Sequence, residues 1–202
     1  KWIYFLSDRF FQSLVRSPWG PRQPEPFFAK TTKIYMVALT PEERFPFLPP
    51  DELQPAKKGK GEGKSKKKEK KGKASKKKDA PVTTVTIREE GLQQRIMEVP
   101  VPPGAYSSLS VNDKYLFWVE RDTAFSREKT LSSLEIKNKD IKAKSLVDGI
   151  RDYELSADGK KIMVLKENNI YVINASGTKP AKLDKNRVNL GDWTFSIDPR
   201  DE

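Results

Sequence analysis

The chain has 202 residues, a formal net charge of +11, and neither cysteine nor histidine. These residues therefore offer no disulfide, no thiolate or imidazole metal ligand, and no Ser-His or Cys-His catalytic dyad. A length of this order allows one or two domains, and no segment has the ~18 consecutive apolar residues of a membrane-spanning helix.

Lys1–Leu6, KWIYFL, places Trp2, Tyr4 and Leu6 on one face of a strand and Ile3 and Phe5 on the other. A strand apolar on both faces must be covered on both. Ser17–Pro26 follows, with four prolines in nine positions, which excludes a helix or a central strand. Trp19, flanked by Arg16 and Arg22, is a candidate partner-contacting knob on this loop. Ile34–Leu39, IYMVAL, reads as the next strand, and Pro41–Pro55 leaves the sheet.

Lys57–Lys78 holds 13 lysines and two glutamates. Taking that tract from the 39 basic and 28 acidic residues leaves 26 of each, so the tract carries the whole charge excess. Self-repulsion and the lack of apolar residues predict a disordered insertion over 56–81. No aromatic residue is interleaved with the lysines, so base stacking gets no support and nucleic acid is not the expected partner.

Val82–Ile87 resumes the alternation of a strand, Gly91 marks a turn, and Arg95–Val99 is a candidate outer strand. Pro100, Pro102, Pro103 and Gly104 then form a crossing. Beyond it the chain repeats itself. Tyr106–Val119 aligns on Asp152–Leu165, with Leu109 on Leu155, Ser110 on Ser156, Lys114 on Lys160 and Leu116 on Ile162. The turn Asn112-Asp113 falls on Asp158-Gly159, a hairpin signal of the type I′ kind. Leu131–Ile136 and Ile170–Ile173 are the third strands, with a turn at Asn168-Asn169 before the latter. Lys144–Val147 and Ala181–Leu183 are candidate fourth, outer strands, and Thr194–Ile197 is a last short one.

Lys1–Leu6 matches Lys114–Val119, and Ile34–Leu39 matches the third strand, so a further copy opens the chain without its first strand. Short strands repeating every roughly 40–50 residues are the signature of β-propeller blades, small twisted sheets packed face to face. The expectation is an all-β partial propeller of about two and a half four-stranded antiparallel blades, belonging to a longer polypeptide. The units are 1–55 (truncated blade with proline-rich loops), 56–81 (lysine-rich insertion), 82–104 (outer strand and crossing), 105–150 and 151–187 (two blades) and 188–202 (exit segment). Open sheet faces and an unpaired first strand predict that the isolated chain aggregates or is partly unfolded.

Four stretches resemble the tricorn protease family: WIYFLSDR at Trp2–Arg9, SPWGPRQPEPFF at Ser17–Phe28, LQQRIMEVPVPPGAY at Leu92–Tyr106 and WTFSIDPRDE at Trp193–Glu202. The most specific parts are R-I-x-x-V-P-V-P-P-G-x-Y and the closing D-P-R-x-E; Arg88–Gly91 departs from the aspartate-rich turn more usual in the family. The resemblance implies the final blades of a second propeller, ahead of a helical region, a PDZ domain and a serine peptidase domain. It implies that the catalytic serine and histidine lie downstream, so no catalytic, cofactor-binding or metal-binding residue is assigned to this chain. It further implies a channel that passes extended peptides to the peptidase, a homo-oligomeric parent, the rest of the propeller as partner, and a cytoplasmic location, with the periplasm as alternative. Ser107–Val111 and Asp152–Ser156 are the candidate channel-facing strands. An interaction propeller without peptidase activity is the competing reading. A stand-alone Ser-Lys enzyme built on Ser107, Ser108, Ser132 or Ser133 is disfavoured, because all four lie in ordinary strand contexts.

Overall fold

A computed structural model of the protein describes residues 1–11, 28–49, 85–122, 126–191 and 194. The lysine tract, most of the proline-rich loop with Trp19, and the Thr194–Ile197 strand except its first residue lie outside them.

The described residues form three antiparallel sheets and two short 3-10 turns. The first sheet has the order β1 (Trp2–Ser7), β2 (Lys33–Ala38), β3 (Ile96–Glu98). The middle sheet runs β4 (Ala105–Val111), β5 (Tyr115–Arg121), β6 (Lys129–Glu135), β7 (Lys144–Asp148), each strand beside its sequence neighbour. The last sheet is β8 (Asp152–Leu155), β9 (Lys161–Lys166), β10 (Asn169–Asn174). Among the described residues only the middle sheet reaches the four strands expected of each repeat.

The double-sided apolar strands explain why the sheets stack. Leu116, Phe117, Trp118 and Val119 of β5 are all buried. Leu116 and Trp118, with Leu134 of β6 beside them, point toward the first sheet, where they meet Ile34 and Met36, with Trp2, Tyr4 and Leu6 packed against them. Phe117 and Val119 point the other way and join Ile162, Val164, Tyr171 and Ile173 of the last sheet. Successive residues of a strand face opposite sides, so one short run fills two cores.

The crossing from the first sheet to the middle one is also part of the core. Val99 and Val101, on either side of Pro100, are buried, and the Tyr106 hydroxyl donates back to the Pro102 carbonyl at 2.7 Å. Gly104 exchanges two backbone hydrogen bonds of 2.9 Å with Thr32. A Cβ on Gly104 would lie 2.3 Å from the Tyr106 ring, so no larger residue fits between the ring and this bridge.

Several sequence expectations need correcting. The Asp158-Gly159 hairpin is not a type I′ turn, because only Gly159 has positive φ. Gly159 N–H donates to Ser156 C=O at 2.8 Å and Ser156 N–H to Lys161 C=O at 2.9 Å, which gives a wider turn ending in a left-handed glycine. The Asp158 carboxylate accepts from Ser156 Oγ and Lys160 N–H, and that local pairing favours the longer loop. The next turn sits one residue earlier than Asn168-Asn169: Asn169 pairs with Lys166, leaving Glu167-Asn168 as the loop. Val85–Ile87 forms no strand, and one bond, Arg88 N–H to Leu39 C=O, ties the segment to the sheet. The candidate outer strand Arg95–Val99 contracts to Ile96–Glu98, because Gln93–Arg95 is a 3-10 turn and Arg95 is occupied in capping carbonyls of Ala38, Arg88 and Glu90. Ala181–Leu183 is not a strand either. Pro180 cannot donate to a ladder, a 3-10 turn covers Leu183–Asn186, and β10 meets only a bridge from Tyr171 to Arg187.

Glu167 has φ 54°. A β-carbon in that region costs about 1 kcal/mol, so Glu167→Gly is expected to stabilise the chain by about 0.5–1 kcal/mol. A thermal melt reads this directly, and an unchanged or lower midpoint would show that the loop is not strained.

Candidate functional site: the first strands and the locks behind them

The stretches expected to face a channel are β4 and β8 with the start of its turn. Each is the first strand of its sheet and, among the described residues, pairs on one side only, with β5 or β9. Ser108 and Val111 of β4 and Asp152 and Glu154 of β8 are exposed, while Tyr106, Leu109, Tyr153 and Leu155 turn back into the cores. The exposed side chains of the two strands are thus small, polar or acidic, apart from Val111.

β4 carries an irregularity between Ser107 and Ser110, where the pairing with β5 shifts register and Ser108 adopts φ 52°. A bulge leaves backbone groups unpaired and bends the strand. Tyr153 of the last sheet compensates. Its hydroxyl reaches the Ser108 carbonyl, the Phe117 carbonyl at 2.9 Å and Ser110 Oγ at 2.9 Å. The phenol proton serves the carbonyls and the phenol oxygen accepts from Ser110. Sequence reading found Tyr153 as a strand residue and missed this role, since nothing in Tyr106–Val111 announces a bulge.

Asn112 makes the second lock. Its side-chain oxygen accepts from Lys114 N–H at 3.0 Å and Tyr115 N–H at 2.8 Å, which closes the β4–β5 turn. Its amide nitrogen donates across to the Gly159 carbonyl at 2.9 Å and the Ala175 carbonyl at 3.1 Å, both on the last sheet's side. Two N–H donors on one side and two carbonyls on the other fix which way the amide faces. Asp158, the aligned residue one repeat later, makes the same turn contact to Lys160 N–H but has no amide to donate onward.

Burial pushes the hydroxyls of Tyr4, Tyr106 and Tyr153 up to about 12 each; the Glu120 charge adds to the effect at Tyr106, and Ser110 opposes it at Tyr153. An unfolded tyrosine ionises near 10. The neutral phenol is favoured in the fold, so its contribution is complete below pH ~10 and is lost as pH climbs toward 12. Tyrosinate absorbance should therefore rise together with loss of sheet structure in that window. Full ionisation near pH ~10 with the fold intact would contradict the burial of these rings.

Ser132 and Ser133 make their hydrogen bonds inside the middle sheet. Ser132 is buried and donates to the Glu120 carboxylate at 3.1 Å, and Ser133 is buried with its hydroxyl toward the Lys144 carbonyl at 3.5 Å. Neither hydroxyl is paired with a lysine ammonium. Among the described residues no group of three or more Asp and Glu side chains is placed to hold a metal ion, and no helix is long and apolar enough to cross a membrane.

No protein-family model matches this chain, and no curated protein matches it. Among solved structures, it is similar to one described as the crystal structure of the tricorn protease, at 18% identity and a TM-score of 0.57, over 86% of this chain. The chain spans 15% of the length of that protein. At this identity the likeness is one of fold alone.

Proposed function

We propose that the chain is a non-catalytic β-propeller segment of a tricorn-like serine protease, whose first strands β4 and β8 line a channel that admits extended polypeptide to a peptidase domain elsewhere in the same protein. The observation that carries this reading is the fold likeness to the tricorn protease over 86% of the chain, together with stacked sheets whose first strands each keep one edge unpaired among the described residues. The resemblance of Arg95–Tyr106 and Asp198–Glu202 to that family supports it. In this reading the sheets are blades, and further blades of the same polypeptide cover the two outer faces. Those faces are apolar: Ile3 and Phe5 with Tyr35 on the first sheet, and Met163, Leu165, Ile170 and Val172 on the last.

Gating follows from size. A ring closed by sheets leaves room along its axis for an extended chain and not for a folded domain. The small and acidic side chains on β4 and β8 offer such a chain few apolar holding points, so it can slide. The test compares the whole polypeptide with a form lacking residues 1–187, on an unfolded substrate and on the same substrate folded. Selective degradation of the unfolded form, lost in the truncation, supports gating. Absence of any hydrolysis by the whole polypeptide removes the peptidase reading and leaves an interaction propeller.

A further inference from the structure

The charge of the chain outside Lys57–Lys78 sums to zero, but it is not evenly spread. The loop joining β6 to β7, with Lys144 at its end, and the segment after β10 are equivalent connections, each leading from the third strand of a sheet to the outer position. Between them Lys137, Lys139, Lys142, Lys144, Lys179, Lys182, Lys185 and Arg187 face only Asp140 and Asp184. The structure brings the two connections together. Gly177 packs on the Tyr115 ring, where a Cβ would lie 2.6 Å from it, and a small cleft is lined by Lys137, Lys142 and Lys144, with Glu135 and Asp140 among them, on one side and Gly177 and Thr178 on the other. Thr178 continues into a groove of about 430 Å³ lined by Lys179, Lys182, Lys185 and the Ile173-Asn174 end of β10. Lys137 is paired with Glu135 and Lys179 with Asp148, but among the described residues no carboxylate pairs with Lys142, Lys144, Lys182 or Lys185.

We propose that this lysine-lined outer rim, spanning the middle and last sheets, is a docking surface for an acidic, extended polypeptide segment. The chemistry of the rim selects that partner. Lysines on flexible stems meet carboxylates as point charges, and arginine, which grips phosphate with two parallel hydrogen bonds, appears once. The two connections contain no aromatic residue to stack a base. Their apolar residues Ile136, Ile141 and Leu183 pack into the cores, which leaves no large side chain to enter a lipid surface. The groove beside the end of β10 is open to solvent along its lysine-lined side. The connection in the first sheet that corresponds to these two contains the Lys57–Lys78 tract in sequence; the docking surface consists of the two described connections alone.

The test uses the full chain and a fluorescent poly-glutamate peptide at low salt. The triple change Lys142→Glu, Lys182→Glu and Lys185→Glu is expected to weaken binding about tenfold or more, with added salt weakening the unaltered chain toward the same level. Neutralising Lys66, Lys67 and Lys68 to glutamine is expected to matter less. Amine labelling read residue by residue guards against a folding defect: the peptide should protect Lys142, Lys182 and Lys185 and leave Lys114 and Lys160 unprotected. Unchanged affinity in the rim variant, or protection confined to Lys57–Lys78, overturns the proposal. Tighter binding of an RNA oligomer or of phosphatidylserine vesicles through the same three lysines would overturn the assignment of the partner.

Discussion

Asn112→Asp is expected to destabilise the chain by about 2–3 kcal/mol, despite changing one atom of a half-buried side chain. The carboxylate keeps the turn, because it still accepts from Lys114 and Tyr115 N–H. It loses the donor to Gly159 and Ala175, and it places negative charge against two carbonyl oxygens. Leaving one half-buried acceptor unsatisfied costs about 1 kcal/mol or more, and charge repulsion adds to it. Asn112→Ala removes both sides of the network and should cost about 1 kcal/mol beyond that. Acid separates the two causes. The carbonyls raise the folded-state pKa of the introduced carboxyl above its unfolded value, so stability relative to the unaltered chain should recover as pH falls through that raised value. Urea unfolding at several pH values reads this. A loss under about 0.5 kcal/mol, or no recovery in acid, would show that the amide does not tie the two sheets.

The second large effect is at Trp118. The ring is fully buried between the first two sheets and meets Tyr106 edge-on, with centroids 5.7 Å apart. Trp118→Ala should cost about 3–5 kcal/mol, the range for emptying an aromatic site in a packed core. Trp118→Phe should cost far less, about 1–2 kcal/mol. The reason is specific: among the described residues the buried indole Nε1 has no hydrogen-bond partner. Phenylalanine therefore loses volume but no hydrogen bond, and removing an orphaned donor offsets part of the loss. Chemical denaturation with an unchanged denaturant slope would measure both. Equal losses for the two variants would mean that the indole N–H is engaged after all.

The same two residues show what sequence can and cannot carry. The unbroken apolar run Tyr115–Val119 implies that β5 is covered on both sides, and the two cores bear this out: Leu116 and Trp118 enter one, Phe117 and Val119 the other. The repeat likewise locates the strands to within a residue or two, because period-two burial is written into composition. Turn geometry was less legible. Asp-Gly is compatible with several hairpins, and the choice fell to Ser156 and Asp158 side chains bonding the local backbone. The outer strands were least legible, since they bury little and their fate turns on one proline or one arginine. Arg95 prefers to cap three carbonyls, and Pro180 blocks a ladder. The locks between sheets left no local signal. Asn112 looked like an ordinary turn residue and Tyr153 like an ordinary strand residue, and only their long-range partners give them a role. The stacked fold was thus within reach of the sequence, whereas the hydrogen bonds that set one sheet against the next were not.

The measurement that bears most directly on channelling is site-specific photocrosslinking in the whole polypeptide. A photoreactive residue replaces Ser108 on β4 or Glu154 on β8, with Glu98 on the outer strand β3, away from the lysine rim, as the comparison; all three are exposed on this chain. With an unfolded substrate in transit, crosslinks from the Ser108 and Glu154 positions and none from Glu98 are the predicted result. Crosslinks from Glu98 alone, or from no position while the substrate is degraded, would contradict passage along the first strands.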